Sequence, residues 1–89
     1  VLCLELAADG ITINAVAPGP VATELFDNGH PQGSAKRQAV IDSIPVKWVG
    51  TPRDVARAVG FFLSPDAGYI SGQPLFVCGG SSVSGSGGN

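Results

Sequence analysis

The run Thr12-Ile-Asn-Ala-Val-Ala-Pro-Gly-Pro-Val-Ala-Thr23 holds the residues best placed to do chemistry in this sequence. Pro18 and Pro20 have no backbone N–H, Gly19 between them has no side chain, and the chain leaves an apolar strand just before them. Gly19 can take φ values closed to other residues. In an open α/β sheet, ligands sit beyond the carboxyl ends of the strands, so bare backbone at Pro18, Gly19, Pro20 and Val21 is a candidate ligand wall. Thr23 supplies a hydroxyl beside it, either for that ligand or as a cap on a following helical turn.

Other reactive residue types carry weaker signals. Asn14 lies in a strand ahead of the turn, where an amide most often satisfies backbone groups. His30, next to Pro31, reads as a solvated loop residue. Cys3 and Cys78 are far apart, no Cys-x-x-Cys occurs and His30 is the single histidine, so zinc and disulfide frameworks are not supported. Both thiols are expected to be free in a reducing cytoplasm, and a strand position gives Cys78 no cationic neighbour to activate it.

The elements that position the turn follow from patterning. Val1 to Ala8 reads as the end of a helix, stopped at Asp9-Gly10. Thr12 to Ala17 is β-branched and small, the composition of a strand buried on both faces, and Pro18 halts it. Residues 24–34 are dense in turn formers and predict a mobile surface segment. Ala35 to Ile44 is helical, with Val40, Ile41 and Ile44 on one side and Lys36, Arg37 and Asp42 on the other, and Pro45 ends it. Residues 24–46 therefore form a partly helical flap on the ligand side. Thr51-Pro-Arg-Asp combines a hydroxyl N-cap, a proline at the first helical position and an acid three residues after the cap. From it runs a helix with an apolar stripe at Val55, Val59, Phe62 and Leu63, closed by Ser64-Pro65. Pro74 to Cys78, bounded by Gly79-Gly80, is a second strand, which completes a βαβ crossover. Residues 81–89 have the composition of a flexible tail, disordered beyond about Val83.

Composition limits the options further. The 89 residues hold one core at most, 44% of them are apolar and only 13% are charged, so much of the surface is expected to be covered by something else. A net charge of −2 without a basic block argues against nucleic acid. No apolar run approaches the ~20 residues of a membrane helix. The chain opens on Val1 in mid-pattern and is read as the tail of a longer protein.

Four stretches in order resemble the short-chain dehydrogenases/reductases, in particular 3-oxoacyl-acyl-carrier-protein reductases. They are residues 4–14, the Pro-Gly stretch 15–23, the helix start Gly50-Thr-Pro-Arg-Asp-Val-Ala56, and Ser71-Gly-Gln-Pro-Leu-Phe-Val-Cys-Gly-Gly80. The resemblance implies an α/β fold, residues 1–80 being the C-terminal part of a Rossmann-like doubly wound parallel sheet (helix end, strand, lid, helix, strand). It implies NAD or NADP as cofactor, with Pro18 and Gly19 shaping the nicotinamide wall, backbone near Pro20 and Val21 bonding the carboxamide, Thr23 adding its hydroxyl, and residues 24–46 acting as substrate lid. It also implies a small carbonyl or alcohol substrate, cytoplasmic location, and a homo-oligomer, dimer or tetramer, through the 51–64 helix and 74–78 strand. Trp48 stands where the family often has Arg, and Cys78 where it commonly has Asp.

The family's catalytic Ser and Tyr-x-x-x-Lys have no counterpart here. The single tyrosine, Tyr69, is followed four residues later by Gln73. Two functions therefore compete. In one, the chain is the C-terminal segment of an NAD(P)-dependent oxidoreductase, without catalytic residues of its own and inactive alone. In the other it is a non-catalytic segment that serves only subunit assembly.

Overall fold

The computed structural model describes residues 1–84. In chain order it contains α1 (Leu2–Leu6), a 3-10 turn (Ala7–Asp9), β1 (Ala15–Pro18), α2 (Glu24–Gly29), α3 (Ala35–Ser43), α4 (Pro52–Leu63), a 3-10 turn (Pro65–Ala67), β2 (Pro74–Val77) and a 3-10 turn (Ser81–Val83).

β1 and β2 pair in parallel, with Ala15 opposite Pro74 and Pro18 opposite Val77. A parallel pair requires a long crossover, and α2, α3 and α4 make it. Of these, α4 packs against both strands. α4 begins where the sequence predicts. Thr51 Oγ1 accepts from the Asp54 N–H (3.2 Å), and Asp54 Oδ2 accepts from the Thr51 N–H (2.8 Å). Pro52 fills the first helical position, where no N–H partner is missed.

β1 is shorter and later than the expected strand over 12–17. Residues 11–14 are held by the 70–73 connection instead of by a partner strand. The Ile13 N–H donates to Ser71 Oγ (3.1 Å) and the Gly72 N–H to the Ile13 carbonyl (2.7 Å). Nor is β1 buried on both faces: Ala15 and Pro18, which point to opposite faces, are exposed, and Val16 and Ala17 are half-buried. Burial on both faces needs a second layer.

The segment over 24–34 is ordered more than its composition predicts. Thr23 caps α2 by accepting from the Phe26 N–H (3.2 Å), and Ser34 caps α3 by accepting from the Arg37 N–H (3.1 Å). Arg37, expected on the solvent side of α3, is buried (8% exposed). Ile44 and Ala67 are the two buried apolar residues among those described. Residues 81–83, expected within the tail, form a turn with Ser81 buried. The expectation of disorder over 85–89 lies outside the described residues.

Candidate functional site

The Pro18–Thr23 turn is fixed on both flanks. The Gly19 N–H donates to the Val77 carbonyl (2.9 Å), which continues the β1–β2 ladder one residue past Pro18. The Gly50 N–H donates to the Pro20 carbonyl (3.1 Å), and the Ala22 N–H returns to the Gly50 carbonyl (2.8 Å), an isolated parallel bridge between Val21 and Gly50. The Thr23 N–H donates to the Val21 carbonyl (2.8 Å). Pro20 has no N–H, so one donor is left in the run. Among the described residues nothing accepts the Val21 N–H. A half-buried amide proton held without a partner by engaged neighbours is suited to an external acceptor.

Thr23 contributes from the rim of the turn. Its oxygen caps α2 through the Phe26 N–H, which leaves its proton to donate elsewhere. The two roles read from sequence are therefore compatible at this residue.

Gly19 departs from expectation in its reason. Its φ is not positive. A Cβ there would lie 2.8 Å from Cys78 Cβ and 2.9 Å from Cys78 Cα, so the glycine is required by the close approach of the turn to the end of β2. A concavity of about 210 Å³ opens beside this contact, walled by Pro20, Trp48, Gly50, Val77 and Cys78. Trp48 is 55% exposed at its mouth. It follows Lys47, whose φ of 67° is the one left-handed value at a non-glycine residue among those described.

The remaining candidates divide. Asn14 is structural, as read: its Nδ2 donates to the Ile70 carbonyl (3.0 Å) and its Oδ1 accepts from the Gln73 N–H (3.0 Å), which ties the entry of β1 to the entry of β2. His30 lies in the bend that follows α2, as read, but is half-buried, not fully solvated. Its ring stacks on Phe26 with centroids 4.2 Å apart and planes 8° from parallel, and Nδ1 donates to the Phe26 carbonyl (3.0 Å). Cys3 and Cys78 are both free. The Ser82 hydroxyl and then its backbone N–H, each 3.4 Å from Sγ, hold the Cys78 thiol below its ordinary pKa. Sequence reasoning looked for cationic neighbours, whereas here neutral donors of the following turn have that effect. Among the described residues no cluster of three or more His, Cys, Asp or Glu could hold a metal.

The family model described as enoyl-(acyl carrier protein) reductase matches residues 1–82. The chain belongs to the short-chain dehydrogenase/reductase family. It is 46% identical over 82 residues to a hydroxy(phenyl)methylsuccinyl-CoA dehydrogenase subunit of Thauera aromatica, across 92% of this chain and 30% of that protein. It is 44% identical over 79 residues to a 3-oxoacyl-acyl-carrier-protein reductase of Rickettsia prowazekii, across 89% of this chain and 32% of that one. The chain thus spans about a third of the length of these dehydrogenase/reductase relatives. Among solved structures, a putative 2-deoxy-D-gluconate 3-dehydrogenase of Agrobacterium tumefaciens with bound NADP superposes with a TM-score of 0.83 at 35% identity, over 93% of this chain and 33% of its own. ElxO with NADP bound gives 0.84 at 32%, over 93% and 34%. The α/β unit with its parallel pair is therefore a short-chain dehydrogenase/reductase piece of the Rossmann type.

Proposed function

We propose that this chain is the C-terminal part, residues 1–80, of one Rossmann-like domain in a cytoplasmic NAD(P)-dependent oxidoreductase, and that it supplies the nicotinamide wall and the substrate lid. The observation that carries the reading is the Val21 N–H, the backbone donor of the turn that meets no acceptor among the described residues. A nicotinamide carboxamide offers a carbonyl to such a donor, and its amide and carbonyl suit the Thr23 hydroxyl. Pro18, Gly19 and Pro20 present bare backbone, against which a flat ring packs closely. When bound, the nicotinamide supplies or takes hydride at a carbonyl or alcohol carbon. The chain's own part is to hold the carboxamide at Val21 and Thr23 and to exclude water through residues 24–46. The names of the relatives, dehydrogenases and reductases of carbonyl or hydroxyl compounds, support the substrate class.

The test uses a full-length relative that carries the same turn. Thr23→Val weakens NAD(P)H binding, followed by nicotinamide fluorescence, by about 1 kcal/mol for one lost hydrogen bond. Thr23→Ser, which retains both the cap and the donor, restores it. Unchanged affinity in the valine variant removes Thr23 from the site. The 89-residue chain alone is expected to turn over no 3-oxoester with NAD(P)H, since Tyr69 lacks the lysine partner and no other tyrosine is present.

A second reading, that the chain serves subunit assembly, is favoured by one specific observation: Phe61 of α4 and Phe76 of β2 are 46% and 55% exposed. Neither phenylalanine walls the concavity beside Gly19, so a homo-oligomer that buries them can accompany cofactor holding at the turn.

A further inference from the structure

The lid contains an unusual internal joint. None of the apolar residues of α2 or α3 is buried, and Leu25 is 84% exposed. The residue buried in α3 is a cation, Arg37. Its Nη1 donates to Asp27 Oδ1 of α2 (2.8 Å) and to the His30 carbonyl at the end of α2 (3.0 Å). Its guanidinium carbon lies 5.3 Å from the centroid of the Phe26 ring, on which His30 is stacked. One side chain of α3 therefore contacts three residues of the α2 end. Burying a guanidinium is costly unless it is paired, and removing its partners leaves a buried, uncompensated charge.

Outside this joint, among the described residues, the hydrogen bonds from the lid to the rest of the fold lie at its ends. At one end stands the Val21–Gly50 bridge. At the other Ile44 is buried, and the Val46 N–H donates to the Gly79 carbonyl (3.1 Å). Between these anchors neither helix buries an apolar side chain.

We infer that Arg37 is a positioning residue that clasps α2 to α3, so that residues 24–43 hold or lose their structure as one unit. The lid then does not fray helix by helix. The inference rests on the reading of 24–46 as a lid only for what the piece covers. The clasp itself is independent of any cofactor or substrate.

Amide hydrogen exchange read by mass spectrometry on the intact protein tests this without an activity assay. Arg37→Ala is expected to speed exchange in α2 and α3 together, by about tenfold or more for the loss of charge-assisted bonds, with α4 and the β1–β2 pair unchanged. Acceleration confined to α3 would mean that Arg37 serves its own helix, and the clasp would be wrong. Acceleration that spreads to α4 and the strands would make Arg37 a general fold residue and would equally overturn it. Asp27→Asn, at a half-exposed carboxylate that keeps its acceptor oxygen, covers the case in which the alanine variant does not fold. It is expected to speed both helices by the same, smaller factor, and an effect on α2 alone refutes the coupling. Failure of NAD(P)H to bind the intact protein would count against the proposed function and leave these exchange results standing.

Discussion

A Cβ at position 19 would stand 2.8 Å from Cys78 Cβ and 2.9 Å from Cys78 Cα. Neither atom is the free end of a side chain, so the turn or the end of β2 must move. Gly19→Ala is therefore expected to cost about 1–3 kcal/mol of stability, the range for overpacking a tight contact, measured by urea unfolding. Because the turn would also shift from the Val21 donor, cofactor affinity should fall with it. A variant as stable as the parent would mean that the contact relaxes freely. The Pro-Gly-Pro composition was legible in the sequence as bare backbone, but its cause was not. Cys78 reaches Gly19 only through the parallel pairing of β1 with β2, and no local pattern announces which residue of a distant strand will face a glycine. The contacts of His30 and Arg37 are hidden from the sequence for a related reason: their partners, Phe26 and Asp27, sit in a six-residue helix too short to show a period.

At the scale of elements, legibility followed the strength of local chemistry. α4 could be read to its first residue because Thr51, Pro52 and Asp54 each satisfy a separate requirement of a helix start, and all three are seen doing so. α2 offers a comparable cap in Thr23, which is legible as one, but the turn formers after it mask the length of the helix that follows. The α4 cap also makes a pH prediction. The Thr51 backbone N–H and then its side chain hold the Asp54 carboxyl below the ordinary carboxylate range, with a smaller contribution from Arg57. A folded value depressed below the unfolded one stabilises above the unfolded value and is lost as pH falls through the folded one. Helicity of α4 should thus be steady at neutral pH and decline below about pH 4, followed by circular dichroism. Asp54→Asn should flatten this component of the acid transition, and an unaltered acid limb in that variant would show that the cap carboxylate does not drive it. Thr51→Ala, which removes the oxygen that receives the Asp54 N–H, is expected to cost about 1 kcal/mol at pH 7.

The whole molecule is an α/β unit with too much apolar surface for the core it forms. The sequence shows that surplus as 44% apolar against 13% charged residues, and the structure shows where it lies. A gap of about 480 Å³ runs between Ile13 and Val16 on the β1 side and Val59 and Phe62 of α4, and Leu75 and Phe76 of β2 are 40% and 55% exposed. Exposed apolar area of this kind is a driving force for association, at roughly 25 cal/mol for each Å² removed from water. A charge placed in such a surface loses hydration on association without gaining a partner. Phe76→Lys changes a half-exposed strand side chain that takes no part in the Pro18–Thr23 turn, so its effect on folding should be small while its effect on assembly is large. Sedimentation of the intact protein is expected to show a dimer or tetramer that Phe76→Lys shifts toward monomer, with NAD(P)H affinity retained. If the variant sediments as the parent does, β2 is not an association surface, and the apolar excess must be covered by other parts of the same polypeptide.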